Sequence, residues 1–250
     1  MDFERHCTEI VTQTERLVAD VAGADLRSPV PSCPGWTLGM LLRHIGGGHR
    51  WAAETVRVRP DDWLDDAIIR KVEGDDTGGP PAEWLLAGAH QLADTLRDAG
   101  PDIEIFAPFD YDRTAFWARR FANETVMHRA DACLAASVPF VVDPTMAVES
   151  IDEWMELDVH PLHFELTPGK REVLGPGRTI ALQAPEAAWF VDLTGDVITW
   201  RRGAAEAAVT VQGTVTDLLL LIYGRIAPEA VEVTGDAALL DLWLRRSTFG

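Results

Sequence analysis

Two side chains with metal-binding chemistry lie four positions apart in the segment NETVMHRAD, namely Glu124 and His128. Four positions along an α-helix correspond to about 400° of rotation, so the two side chains leave one face about 40° apart. A carboxylate and an imidazole at this spacing are suitable ligands for Zn²⁺. The same spacing is common in surface ion pairs, so the pair alone leaves both interpretations open.

A third candidate ligand, His44, lies in the hydrophobic segment LLRHIG. Its neighbours point the ring partly toward the protein interior, where an imidazole without a polar partner is unfavourable. That partner is either a backbone carbonyl or a metal ion, and the residues alone do not decide between them.

Two further residues, His49 and Asp131, lie near these candidates in the sequence. His49 follows His44 by five positions, about 140° around a helix, so we expect it outside a shared metal site. Asp131 could orient the His128 imidazole, although a surface carboxylate beside Arg129 is the favoured interpretation.

The three cysteines are an odd number at wide spacing, without a CxxC motif: Cys7, Cys33 and Cys133. This pattern indicates neither a disulfide framework nor a cysteine zinc site. We predict buried or partly buried free thiols. No motif places a histidine base beside Cys33, so it is not assigned as a nucleophile.

The candidate ligands need helices to position them, and hydrophobic periodicity predicts four in the first half of the chain. The predicted helices cover residues 3–22, 38–56, about 84–96 and 114–137. The proline-rich segment SPVPSCPGW interrupts the first two, and the acidic residues 57–82 form a long surface connection. Four helices with such connections predict a bundle.

The second predicted helix begins after Thr37, which can cap it, and contains three consecutive glycines at positions 46–48. Each glycine costs roughly 1 kcal/mol relative to alanine in a helix, so the run needs a reason. Close helix packing and space for a ligand beside His44 are both open explanations. Trp36 is expected to pin the preceding loop against the start of this helix.

The second half of the chain has a different pattern. Residues 147–161 can form one more helix, and 166–177 are predicted to be a loose connection. Short strand-like runs then follow at 178–184, 188–193, 197–202 and 207–213, with helical spacing at 218–223 and 237–244. This predicts a helical domain over residues 1–158 and a small α+β domain over 159–250.

Composition limits the classes of partner. The 250 residues include 22 basic and 40 acidic side chains, a formal net charge of −18, which disfavours nucleic acid and anionic membranes as partners. The N-terminal residues lack a signal-peptide core, and no stretch approaches ~18 uncharged apolar residues. We therefore expect a cytoplasmic protein that is a monomer or homodimer and whose partners are small molecules.

Longer segments carry a family resemblance. VPSCPGWTLGMLLRHIGGGHRWA and RFANETVMHRADA resemble the mycothiol-dependent maleylpyruvate isomerase family, whose N-terminal half is a DinB-like four-helix bundle. ALQAPEAAWFVDLTGDVITWRR, VTVQGTVTDLLLLIYGR and VEVTGDAALLDLW are similar to the family's small, sterol-carrier-like C-terminal domain. The resemblance therefore extends over nearly the whole chain.

The resemblance implies that His44, Glu124 and His128 bind zinc. Three protein ligands leave a coordination position open, as in catalytic rather than structural zinc sites. The implied cosubstrate is mycothiol, whose sulfur would bind the zinc and become a thiolate near neutral pH. Arg225, in LLLLIYGR, matches an arginine near the family's site and would suit a carboxylate-bearing substrate. A solvated arginine at a helix end is the alternative for Arg225.

Two functional hypotheses follow. The first is an enzyme, a mycothiol-dependent isomerase or thiol transferase that acts on a small electrophile in the manner of maleylpyruvate isomerase. The second is a non-catalytic protein that binds a metal or a small molecule, such as a sensor, on the same scaffold. An open coordination position that accepts a thiol distinguishes the first from the second.

Overall fold

The computed structural model describes residues 1–65, 79–108 and 111–247. These residues divide into two compact units, Met1–Phe140 and Val141–Gly250. Residues 66–78 of the predicted surface connection lie outside the described residues. None of the helices in the part of the chain that the structure describes is long and apolar enough to cross a membrane.

The first unit is built on four long helices, which confirms the predicted bundle. They are α1 (Phe3–Asp20), α2 (Leu38–Val58), α3 (Ala82–Ala99) and α4 (Thr114–Ala136). Helices α1 and α2 each pack against both α3 and α4. Helix α2 therefore contacts α4, although the two helices are far apart along the chain.

Caps and small residues explain how these helices begin and pack. The Asp2 carboxylate accepts a hydrogen bond from the backbone N–H of Arg5 at 2.8 Å, and Thr37 caps α2 by accepting from Met40 at 3.3 Å. On α4, Ala118, Ala122 and several other small residues are fully buried. Their size allows neighbouring helices to approach α4 on more than one side.

The second unit contains helices on a mixed five-stranded sheet. Its helices and 3₁₀ segments are α5 (Pro144–Asp158), α6 (Pro161–Leu166), 3₁₀ Pro168–Val173, α7 (Val215–Ile222), 3₁₀ Pro228–Ala230 and α8 (Ala237–Ser247). Its strands are β1 (Thr179–Gln183), β2 (Ala188–Asp192), β3 (Thr199–Arg202), β4 (Val209–Gln212) and β5 (Glu232–Gly235). The strand order is β3-β2-β1-β4-β5, in which β1 and β4 are parallel and the other pairs antiparallel.

The central strand and α5 locate the core of this unit. Ile180, Ala181 and Leu182 of β1 are all fully buried, so both faces of the sheet are covered there. Helix α5 packs against α7 and therefore belongs to the second unit. The division after Phe140 thus precedes the boundary predicted at residue 158, because α5 buries its apolar face within the second unit.

The segment predicted as a loose connection, residues 166–177, is ordered around a buried lysine. Lys170 is fully buried in a 3₁₀ turn, and its ammonium group forms an ion pair with the buried carboxylate of Asp158. The ammonium also donates a hydrogen bond to Nδ1 of His163 at 3.1 Å. Burial, together with the Lys170 charge, lowers the pKa of His163 to about 4, so this ring is a neutral acceptor at neutral pH.

Removing one partner of this buried ion pair should strongly destabilise the second unit. Lys170→Met leaves a carboxylate buried without its partner, which costs ~3–5 kcal/mol. The control is Arg245→Met, which breaks the exposed ion pair with Asp241 and should cost less than ~1 kcal/mol. Urea unfolding of the full chain, followed by circular dichroism, measures both changes.

A double variant tests whether the unpaired buried carboxylate of Asp158 causes the loss of stability. Adding Asp158→Leu to Lys170→Met removes the uncompensated charge and should recover much of the lost stability. Equal stability losses for Lys170→Met and Arg245→Met would contradict the prediction.

Candidate metal centre

The three predicted ligands come together where α2 packs against α4. His44 lies on α2, and Glu124 and His128 lie one turn apart on α4. The rings of His44 and His128 meet edge to face, with centroids 5.1 Å apart. Nε2 of His128 lies 3.3 Å from Oε2 of Glu124. Two imidazoles and one carboxylate therefore share one place in the bundle.

The spacing of the Glu124 and His128 donors suits two ligands of a tetrahedral zinc ion. With Zn–N and Zn–O bonds of about 2.0–2.2 Å, two ligand atoms on one ion are about 3.4 Å apart. The Nε2–Oε2 distance of 3.3 Å is close to that value. Within the described residues, however, no group of three or more His, Cys, Asp or Glu side chains is arranged so that it could hold a metal ion. Zinc binding by the triad therefore stays a prediction.

Asp131 forms a hydrogen bond with the second ring nitrogen of His128, Nδ1. Its Oδ2 lies 3.0 Å from Nδ1 of the imidazole, and the aspartate side chain is fully buried. The expectation that Asp131 is a surface carboxylate beside Arg129 is wrong, because α4 is buried on that side. Arg129 instead donates hydrogen bonds to Asp20 and Gln13, at 2.7 Å and 2.9 Å.

Charges around the triad favour an ionised pair. Burial alone would raise the pKa of the Glu124 carboxyl, but Arg120 and His128 hold it well below its usual range. Burial alone would lower the pKa of His128, but its hydrogen bonds to Asp131 and Glu124 raise it to about 9. Arg120 donates to Oε1 of Glu124 and leaves Oε2 facing His128.

Solvent reaches this group of side chains. The Glu124 side chain is 41% exposed and that of His128 is 19% exposed. His44 is also only partly buried. A small molecule can therefore approach the three donors from solvent.

His49 has a different environment from His44. It is almost fully buried, and its Nε2 lies 2.9 Å from the hydroxyl of Thr125. That hydroxyl donates to the carbonyl of Phe121 at 2.7 Å, so it accepts from His49. Burial, together with the nearby Arg50 charge, lowers the pKa of His49 to about 3. The neutral His49 ring is thus hydrogen-bonded to Thr125 of α4.

The loop before α2 packs beside His44. The Trp36 ring centroid is 4.9 Å from that of His44, in an edge contact. Trp36 also packs against the hydrophobic core that includes Leu38 and Leu41, which agrees with the predicted packing role. The tryptophan consequently restricts the His44 ring from the side of the loop.

The cysteines are free thiols, as predicted. Cys7 and Cys133 are buried, and Cys33 is partly buried. Burial raises the pKa of Cys7 to about 11 and, with the nearby Asp20 carboxylate, that of Cys133 to about 12. These two thiols are therefore protonated at neutral pH.

Arg225 belongs to the second unit. It follows Gly224, which has a φ of 69°, at the end of α7. Its Nη1 donates to the carbonyl of Tyr223 at 2.6 Å, and its backbone N–H donates to Leu220 at 2.7 Å. The guanidinium is partly buried. Its role at the candidate centre stays a prediction.

The sequence patterns did not indicate two supporting residues: Arg120, which contacts Glu124, and Ser32, which contacts Asp131. Arg120 precedes Glu124 by one helical turn, so its spacing was a usable signal. Ser32 donates to Oδ1 of Asp131 at 2.6 Å across 99 positions of sequence, and no local pattern indicates such a contact.

Known proteins share this arrangement of a helical bundle followed by a small mixed sheet. The structure is similar to a crystal structure of a mycothiol-dependent maleylpyruvate isomerase, with a TM-score of 0.60, 14% sequence identity and coverage of 94% of this chain and 93% of the other. A mutant of such an isomerase has a TM-score of 0.62 with the same identity and coverage. No curated protein matches the sequence significantly.

Family models identify the chain more specifically. Residues 7–133 match the mycothiol maleylpyruvate isomerase N-terminal domain, and residues 121–242 match the MDMPI C-terminal domain. The chain therefore belongs to the mycothiol maleylpyruvate isomerase family, as the sequence motifs indicated.

The glycines beside His44 provide a test of the local packing. A Cβ at Gly46 would overlap the indole ring of Trp84, whereas one at Gly48 would make ordinary contact with Phe121 at 3.5 Å. Close packing with α3 thus explains Gly46. We expect Gly46→Ala to destabilise the protein by ~1–3 kcal/mol through overpacking, and Gly48→Ala to stabilise it by up to ~1 kcal/mol.

Thermal unfolding of the two variants measures this difference. Because both replacements add one methyl group to the same helix, helix propensity cancels in the comparison. Equal melting temperatures would contradict a packing role for Gly46.

Proposed function

We propose that this chain is a zinc-dependent enzyme that uses a low-molecular-weight thiol, mycothiol, in isomerisation or thiol transfer on a small electrophile. The observation that carries the proposal is the convergence of His44, Glu124 and His128 from two packed helices. Family membership supports the choice of thiol, since the family and the similar solved structures are named for mycothiol dependence. We also propose that the protein acts in the cytoplasm.

The triad suits a metal that activates a ligand. His44, Glu124 and His128 would hold the zinc, and these three protein ligands leave a position for the thiol sulfur. The chemistry that zinc supplies in such a site is stabilisation of a thiolate at neutral pH. Glu124 and His128 are partly exposed, which gives the thiol access.

Side chains around the triad keep the ligands in place. Arg120 fixes one oxygen of Glu124, so the other oxygen faces His128. Asp131 holds Nδ1 of His128, so its Nε2 is directed toward Glu124. Ligands fixed by such partners lose little conformational entropy when they bind an ion.

The thiol chemistry accounts for both reaction types. A thiolate that adds to a conjugated cis double bond converts it to a single bond, about which rotation can occur. Departure of the thiolate restores the double bond in the trans form and regenerates the thiol, which is isomerisation. When another group departs instead, the sulfur stays on the product, which is thiol transfer.

Arg225 is the proposed contact for an anionic substrate. Its guanidinium offers a planar, permanently charged fork for a carboxylate. The chain carries a net charge of −18, so an anionic substrate needs such a local cation.

Metal content tests the triad. We expect about one zinc per chain in the wild-type protein and a loss of at least ~10-fold in zinc affinity in His44→Ala, Glu124→Ala and His128→Ala, because each removes a ligand. His90→Ala, at an exposed position of α3, is the matched control and should bind zinc normally. Elemental analysis and chelator competition measure both quantities.

Activity separates the enzyme from a binding protein. His128→Ala should abolish mycothiol-dependent turnover of maleylpyruvate or related electrophiles while the helical circular dichroism is kept. A wild-type protein that neither contains nor takes up zinc would overturn the proposed site. Zinc binding without any thiol-dependent turnover would instead favour the non-catalytic sensor.

Arg225 has a separate test. Arg225→Gln should lower kcat/KM by ~10–100-fold, the value of a charged hydrogen bond, without changing zinc content. Arg245→Gln, an exposed arginine of the same unit, is the control. An unchanged kcat/KM in Arg225→Gln would remove this residue from the site.

A further inference from the structure

We propose that Asp131 is the positioning residue that aligns two of the three ligands: it fixes His128 directly and His44 through Ser32 and the loop of residues 28–37. The inference rests on the proposed function, because it concerns residues that would hold the metal. It assigns a role to a buried carboxylate that touches none of the reacting atoms.

Both oxygens of this carboxylate are used. Oδ2 accepts from Nδ1 of His128 at 3.0 Å, and Oδ1 accepts from the Ser32 hydroxyl at 2.6 Å. The side chain is fully buried, where an ionised carboxylate requires strong hydrogen-bond donors. Asp131 therefore joins α4 to the loop that precedes α2.

The loop itself transmits this restraint toward His44. Its two ends are held together by the bridge between Pro29 and Thr37 and by the hydrogen bond from Val30 N–H to the Trp36 carbonyl, at 2.9 Å. The backbone N–H of Trp36 also donates to the carbonyl of Cys33 at 3.0 Å, and this hydrogen bond closes a turn beside Ser32. Because Trp36 packs against the His44 ring, movement of the loop would move that ring.

The contact with His128 has a chemical consequence as well. When the His128 ring is neutral, as metal binding requires, donation from Nδ1 leaves the lone pair on Nε2, the atom that faces Glu124. Metal-binding histidines commonly use this hydrogen bond to a carboxylate to fix the ring and to increase its basicity. Asp131 thus sets both the orientation of His128 and the nitrogen that is available to a metal.

The central variant is Asp131→Asn, which preserves shape and volume. If the amide nitrogen faces His128, the ring must change tautomer; if the amide oxygen faces it, the hydrogen bond loses its charge. Both arrangements weaken the hold on His128, and we expect a ~10–100-fold loss of zinc affinity. Ser32→Ala, which cuts only the connection to the loop, should give a smaller loss.

The matched control is Asp20→Asn. Asp20 is a partly exposed aspartate that accepts from Arg129 on α4 and does not contact His128 in the described residues. Asp20→Asn therefore measures the effect on zinc affinity of losing an aspartate charge beside α4. We expect its zinc affinity to stay within about twofold of wild type.

The experiment measures zinc affinity by chelator competition in the full chain, together with the visible spectrum of the cobalt-substituted protein and thermal unfolding. The expected result is weaker zinc binding and an altered cobalt spectrum in Asp131→Asn, with an unchanged spectrum in Asp20→Asn. A purely structural role would lower the melting temperature of Asp131→Asn but leave its zinc affinity and cobalt spectrum unchanged, which would overturn the inference. A wild-type protein that binds no zinc would overturn the proposed function and, with it, this inference.

Discussion

The packing of α2 against α4 is the constraint on which the candidate centre depends. One potential ligand, His44, lies on α2, and the other two lie on α4, so the group exists only while these helices are in contact. Gly46 contributes because the absence of a side chain lets α3 pack closely on α2. The geometry of the centre is therefore a property of the helix packing rather than of a local motif.

Charged neighbours also stabilise the candidate ligands on α4 electrostatically. Each candidate ligand on α4 has a charged partner one turn away, Arg120 for Glu124 and Asp131 for His128. The resulting row of alternating charges follows one face of the helix. Such a row offsets the cost of placing two ionisable ligands in a partly buried position, because every charge has an opposite neighbour.

Much of this could be predicted from sequence. The four helices, four of the five strands and the grouping of His44, Glu124 and His128 follow from periodicity and family motifs. The burial of Asp131 could not be predicted, because it depends on contacts with residues that are distant in sequence. The same holds for Lys170, which lies in the segment predicted to be a loose connection and which the structure buries against Asp158.

The span of sequence between Ser32 and Asp131 has a consequence for folding and metal capture. A hydrogen bond across 99 positions forms only after the bundle has closed, because loop closure must come first. In the proposed zinc site, His44 would join Glu124 and His128 only once α2 and α4 have packed together. A zinc ion held in the proposed site would therefore bind the native state preferentially and stabilise it by mass action.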